Sequence, residues 1–322
     1  MKRMNVIIFS HESDLDGVFS AAIGLIRYPQ ARTVFFGYGI ESFRRMSSFI
    51  YSFTNSHLTK NSLVIISDLA LNDDNQLIDL CKDSFSKAKE MGCRIIWVDH
   101  HPWPERAMHA ITPFIEPIID TSGRKCAAEL MYENFLSGNS LAAKLASIAR
   151  SMDFFTKDQY LTPISELIIY YHNLPGPYER LSLLARKVSR GVLWDTEMQI
   201  DYSEYIKIRD TEKLEAWQSM QIKEIKGGFR VAFIKSSSFL QKSLFSEEVF
   251  EKTNSDIVIF YSSEGKVSIR RNNALLSCRR IAANLPEGGG HEFAAGARLL
   301  SDPSNLEAVI EELQEAVVNS FQ

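Results

Sequence analysis

Four short apolar runs constrain this chain more than any other feature: NVIIFS (5–10), RTVFFGY (32–38), SLVIIS (62–67) and RIIWV (94–98). Each is rich in β-branched and aromatic residues, and segments of helical pattern separate them. A strand buried on both faces needs no polar side, so it reads as continuous rather than alternating. Such strands alternating with helices indicate a parallel sheet covered on both faces. PFIEPII (113–119) offers a fifth strand, and from Lys125 to about Val188 the pattern turns helical. A helix rich in Glu, Lys and Gln is expected over roughly Tyr202 to Lys226, stopped by Gly227-Gly228. Its polarity all round suits a bridge between domains. The α/β rhythm then restarts with FRVAFI, DIVIFY and KVSIRR as strands and a helix from Leu275 to Asn284. The loop PEGGGH, a short strand ARLL and a final amphipathic helix follow. The expected architecture is α/β in three parts: a parallel-sheet domain over 1–200, a linker helix over 201–227, and a smaller α/β domain over 228–322.

Charge and cysteine usage exclude several classes. With 322 residues and a net charge of −4, the chain has no global basic field. That argues against coating long nucleic acid by bulk electrostatics, but leaves room for a short anion held by a few local cations. No stretch is long and apolar enough to span a bilayer. The N-terminal apolar run is cut off at once by polar residues, so no secretion signal is read. The four cysteines form no CxxC pair, as expected of reduced thiols in a cytoplasmic protein.

In open parallel sheets the working residues sit just beyond the carboxyl ends of the strands. Here the first strand runs into HESDLDG, with His11, Asp14 and Asp16. The third runs into Asp68, and the fourth into Asp99, His100 and His101. One sheet edge therefore gathers four aspartates and three histidines. Clustered carboxylates repel one another and resist desolvation, and a bound cation turns that cost into binding energy. Asp and His donors without thiolate suit Mn²⁺, with Zn²⁺, Co²⁺ or Mg²⁺ as alternatives. The donors outnumber the needs of one ion, and a pair bridged by a carboxylate at about 3.5–4 Å would use them. Blander roles compete for individual residues. Asp14 and Asp16 suit a cap for the helix near Gly17. Asp68 could cap the next helix, although Asn72 and Asp73 are better placed. Asp120 suits a cap for the helix near Lys125. Clustering at successive strand ends favours the metal reading.

With these motifs in order, the sequence resembles the DHH phosphoesterases, a superfamily named for its Asp-His-His triplet. HESDLDG, SDLA around Asp68 and VDHHP around Asp99 match its successive motifs, and Asp153 in ARSMDFF best matches the next one. GGGHEFAAGARL (288–299) is similar to the signature of the DHH-associated C-terminal domain. The resemblance implies that His11, Asp14 and Asp68 hold one Mn²⁺, and that Asp16, Asp68, His100 and Asp153 hold a second, with Asp68 bridging. It implies that His101 faces the substrate phosphate and that Asp99 orients the histidines. His291 and the Gly288, Gly289 and Gly290 loop would contact phosphate, with Arg270 or Arg271 as a guanidinium clamp, in a cleft between domains. One departure is the spacing of His11, Asp14 and Asp16, three and then two. Nanorna-degrading members usually place the first aspartate four residues after the histidine, so the subfamily stays open. The implied activity is Mn²⁺-dependent hydrolysis of 5′-phosphorylated dinucleotides or very short oligonucleotides. No membrane or long-duplex partner is expected, and a homodimer is left open. The alternatives are a phosphoadenosine-phosphate phosphatase, a cyclic-dinucleotide phosphodiesterase, a RecJ-like single-strand exonuclease and a non-catalytic nucleotide-binding regulator.

Overall fold

The apolar runs become strands for the reason their composition gives. β1 (Asn5–His11), β2 (Arg32–Phe36), β3 (Ser62–Ser67), β4 (Arg94–Asp99) and β5 (Glu116–Ile119) form one sheet in the order β2-β1-β3-β4-β5. Every neighbouring pair is parallel. The helices between them are α1 (Leu15–Arg27), α2 (Ile40–Asn55), α3 (Asn75–Glu90) and α4 (Glu105–Ile111). On one sheet face Ile7, Phe9, Val64, Ile66 and Trp97 bury against Phe43, Met46 and Ile50 of α2 and Leu77, Cys81 and Phe85 of α3. Each such side chain contributes about 1.5–3 kcal/mol. On the other face α1 packs against α5 (Ala127–Phe135), α6 (Ser140–Asp153) and, after α7 (Thr162–Asn173), α8 (Pro177–Val188).

The chain is described here from a computed structural model, over residues 4–55, 62–154 and 162–321. It divides into two units, Met1–Ile200 and Asp201–Gln322. Among the described residues no helix is long and apolar enough to cross a membrane.

Strand register decides what gathers at the sheet edge. Ser10 pairs with Ser67 and Ser67 with Val98, and the Asp68 N–H continues the ladder to the Val98 carbonyl. His11, Asp68 and Asp99 therefore leave neighbouring strands side by side. Facing hydroxyls of Ser10 and Ser67, 2.8 Å apart, tie the two strand ends.

The second unit differs from expectation at its start. The charged helix α9 runs over Thr196–Ser219 and stops short, and Gln221–Ile225 is a strand, β6. It pairs antiparallel with β7 (Phe229–Lys235). The turn between them uses Gly227 and Gly228 at φ 94° and 76°, open to glycine but not to a side chain without strain. The Lys and Glu of QIKEI suit the exposed edge of a sheet, and that charge is what makes the segment read as helix. α10 (Lys242–Thr253), β8 (Ile257–Tyr261), β9 (Lys266–Arg271), α11 (Cys278–Ala282), β10 (Gly289–Gly290), β11 (Ala294–Arg298) and α12 (Leu306–Asn319) complete the unit. The sheet order is β10-β11-β9-β8-β7-β6. α11 is shorter than the Leu275–Asn284 expectation. Asn273 instead accepts the Leu275 N–H in a local turn, and Ser277 caps the helix by accepting from Arg280. One face of the sheet packs on α11 and α12. The other packs Ala232, Ile234, Val258 and Phe260 on Phe245, Val249 and Phe250 of α10.

Candidate metal centre

HESDLDG folds so that its acidic residues do two jobs at once. Asp14 is the N-cap of α1: Oδ1 accepts the Gly17 N–H at 3.0 Å, while Oδ2 faces His11 Nδ1 at 2.9 Å. Asp14 thus caps α1 and at the same time faces His11. Gly17 is required by space, because a Cβ there would lie 2.2 Å from the His11 carbonyl oxygen.

Asp16 caps a helix far along the chain. Its oxygens accept the N–H groups of Ala127 at 2.7 Å and Ala128 at 2.8 Å, in the first turn of α5. Asp120, expected to cap this helix, instead accepts from the Ser122 N–H in a local turn. Nor do Asn72 or Asp73 cap α3, whose N-cap is Asp74.

Asp68 sits at the centre, 1 % exposed, with a left-handed backbone at φ 58°. Oδ2 lies 3.6 Å from His11 Nδ1, whereas Oδ1 lies 3.4 Å from His100 Nε2 and 3.8 Å from His101 Nδ1. His100 in turn faces Asp16 at 3.7 Å through Nε2 and Asp153, the last residue of α6, at 3.8 Å through Nδ1. Asp99 is fully buried. It holds His101 Nδ1 at 2.8 Å and accepts from the Trp103 indole at 2.6 Å. Its hydrogen bonds orient His101 and not His100, which narrows the expected role.

The charges show the strain of this gathering. Burial opposes a charged His100, but Asp68, Asp16 and Asp153 outweigh it and push its pKa up to about 10. Burial likewise opposes a charged His11, and Asp14 and Asp68 raise it well above the usual imidazole range. Asp16 is raised by burial and by repulsion from Asp68 and Asp153. Burial, assisted by Asp68 and Asp14, pushes Asp153 up to about 6. Asp68 alone is lowered, because the histidines around it outweigh its burial.

Two buried atoms at the centre, Asp68 Oδ2 and His100 Nε2, have no hydrogen-bond partner among the described residues. Orphaned polar atoms so deeply placed are costly unless something else satisfies them. Two donor sets, His11-Asp14-Asp68 and Asp68-His100-His101, each bring their ligand atoms within 4.8 Å of one another and share Asp68. Carboxylate oxygen and imidazole nitrogen around orphaned atoms fit a divalent cation.

Three further side chains adjoin this cluster. The Tyr38 ring lies 5.1 Å from the His11 ring and 6.2 Å from that of His101, with 42 % of the residue exposed. The Trp103 indole donates to Asp99. Glu12, buried beside His11, faces His172 at 3.7 Å. Its carboxylate occupies the space a Cβ would need at Gly37.

The C-terminal candidates lie in the second unit, and they separate. Arg270 and Arg271 point to opposite faces of β9. Arg271 donates to the carbonyls of Ala274 and Leu276 and so ties down the following loop. The glycines separate too. A Cβ at Gly288 would lie 1.7 Å from the Ala282 carbonyl oxygen, and one at Gly290, at φ 133°, would lie 2.6 Å from Ala295 Cα. Both are glycine for the fold, and only Gly289 opens to space. The His291 N–H donates to the Ala294 carbonyl, and the exposed imidazole stacks on Phe293 at 5.5 Å.

Residues 5–160 match the DHH family, N-terminal domain. No curated protein is significantly similar to the chain. Solved structures that share its fold include the following three. A member of the s1p family of ribosomal proteins, DHH domain, is 15 % identical, covering 98 % of this chain and 87 % of its own, with a TM-score of 0.66. An exopolyphosphatase-related protein from Bacteroides fragilis is 15 % identical, covering 99 % and 94 %, with a TM-score of 0.57. The exonuclease RecJ bound to manganese is 13 % identical, covering 98 % and 91 %, with a TM-score of 0.55. At such identities the likeness is one of fold.

Proposed function

The chain belongs to the DHH superfamily, and from that premise we propose that this phosphoesterase hydrolyses 5′-phosphorylated dinucleotides or very short oligonucleotides. The observation that carries the reading is the carboxylate of Asp68, whose two oxygens face different histidines. That is the disposition a bridging ligand needs.

His11, Asp14 and Asp68 would hold one divalent cation, and Asp16, Asp68, His100 and Asp153 a second. The donor set suits Mn²⁺, and the RecJ relative binds manganese. When bound, such a pair neutralises a phosphodiester and lowers the pKa of an attacking water. The remaining work falls to side chains. Asp99 accepts a hydrogen bond from His101 Nδ1–H, so that a protonated His101 would present Nε2–H to a phosphate oxygen. Trp103 holds Asp99 from its other side, and Tyr38 walls the imidazoles. Arg270, Gly289 and His291 of the second unit are assigned to the substrate, with Gly288 and Gly290 shaping their loop. The four cysteines are free and buried, as suits a cytoplasmic enzyme.

The test is product formation with Mn²⁺ and with chelator. The panel comprises 5′-phosphorylated dinucleotides, a longer single strand, phosphoadenosine phosphate and a cyclic dinucleotide. Metal-dependent cleavage of the dinucleotides above the others supports the proposal. Preference for another member replaces the substrate but keeps the chemistry, and tight binding without turnover favours a regulator.

A further inference from the structure

β2 is an outer strand of the first sheet, and its free edge is partly closed by α8. The Phe36 carbonyl accepts from the Glu12 N–H on the β1 side. Backbone groups alternate along a strand, so Thr33 and Phe35 face away from the sheet. The Ser182 hydroxyl covers the Thr33 carbonyl at 3.1 Å, and the Arg186 guanidinium covers those of Pro29 and Ala31, each at 3.2 Å. Among the described residues Phe35 has no such cover. Beside this edge, between β2, α2 and α8, lies a cleft of about 450 Å³.

Arg32, Arg45 and Arg186 line the cleft. The Arg32 guanidinium carbon lies 5.0 Å from the centre of the Phe49 ring. That of Arg45 lies 5.6 Å from the Phe36 ring and 4.7 Å from the Tyr178 ring, whose hydroxyl it also meets. Ring faces hold a guanidinium in place without using up its fork of N–H donors. Among the described residues none of the three arginines pairs with a carboxylate. Glu179 also lines the cleft, but its carboxylate turns back beside Gly176. Elsewhere on the same unit, Arg44, Arg94 and Arg106 each pair with a carboxylate. Thr33 gives a second, independent sign. It lines the cleft and is 7 % exposed, and among the described residues its Oγ1 has no hydrogen-bond partner. A buried hydroxyl without a partner is costly unless something else satisfies it.

We propose that this cleft is a second site, apart from the metal centre, for a nucleoside monophosphate. The guanidinium forks take its phosphate, and the Tyr178 and Phe49 rings, with the guanidinium planes on them, stack its base. The uncovered N–H and C=O of Phe35 offer a donor and an acceptor to a base edge. Inorganic phosphate would use the arginines and leave the rings idle, and an acidic peptide would do the same. The volume falls in the range of about 300–1,000 Å³ usual for small-ligand sites. None of the metal-centre candidates lines the cleft, so the site stands whether or not the proposed reaction does.

The test is photolabelling of the full chain in chelator with 8-azidoadenosine 5′-monophosphate, read by mass spectrometry of the peptides. Label is expected on peptides carrying Phe49 or Tyr178. Adenosine 5′-monophosphate should protect them at concentrations at least about tenfold below those needed of adenosine or inorganic phosphate. Arg32→Gln and Arg45→Gln should each weaken that protection by about tenfold, with metal loading unchanged. Should Arg45→Gln fold poorly, Arg32→Gln decides alone, because Arg32 is exposed and makes no hydrogen bond among the described residues. Absence of protected label on these peptides, or protection unchanged in Arg32→Gln, overturns the site. Better protection by an oligo-aspartate peptide than by the nucleotide overturns it as well, in favour of an acidic chain.

Discussion

Asp16 Oδ2 lies 2.7 Å from the backbone nitrogen of Ala127, a residue 111 positions later in the chain. One carboxylate thus fastens the helix behind the sheet while facing His100 in front of it. Removing it should cost stability as well as activity. Asp16→Ala leaves two N–H groups of α5 unpaired in a buried place, an expected loss of about 1–3 kcal/mol. Urea unfolding in chelator measures this apart from any metal. A variant as stable as the wild type would mean that the cap contributes nothing.

Asp68 calls for a substitution that respects its backbone. Asparagine tolerates the left-handed conformation at φ 58° better than alanine does. Asp68→Asn should therefore fold while losing turnover by more than the roughly 10–100-fold typical of residues that only orient a ligand. Metal content by mass spectrometry and turnover on the cleaved substrate are the readouts. Wild-type rates with a full metal complement would end the bridging role.

Asp99→Asn tests positioning. The Asp99 carboxylate hydrogen-bonds His101 and Trp103 and, among the described residues, no other histidine, so metal content should hold while turnover falls about 10–100-fold. Loss of metal in step with activity would instead place Asp99 among the ligands.

Metal loading should release protons. The pKa of His100 is pushed up to about 10 and that of Asp153 to about 6. At neutral pH the metal-free centre therefore keeps a proton on His100, and below about pH 6 on Asp153 as well. A cation displaces these protons, so its apparent affinity rises with pH. Calorimetry in buffers of different ionisation enthalpy counts them. Loading with no proton release, and an affinity flat between pH 6 and 8, would exclude these groups as ligands.

The glycine loop divides by position. Gly288→Ala drives a Cβ into the Ala282 carbonyl and should unfold or strongly weaken the second unit. Gly289→Ala meets no atom. It should keep the wild-type melting temperature within about 0.5 kcal/mol of stability while weakening nucleotide binding. Equal destabilisation by both would contradict the packing described here.

Local chemistry made much of this chain legible from its sequence. Continuous β-branched runs have only a doubly covered parallel sheet to enter, and parallel strands bring their carboxyl ends to one edge. Sequence therefore puts His11, Asp68 and Asp99 at one edge, and the adjacent placement of β1, β3 and β4 makes them neighbours. Contacts between distant segments could not be read in this way. Nothing near Ala127 marks Asp16 as its cap, because the acceptor comes from another strand end. Tyr38 bears no motif, and it joins the imidazoles only because β2 lies beside β1. QIKEI has the charge of a helix and becomes a strand because β7 offers it a partner. In GGGH, sequence supplies three equivalent glycines, and packing against Ala282 and Ala295 leaves one of them open to a ligand. Residue type sets what a side chain can do, while register and packing decide which atoms it meets.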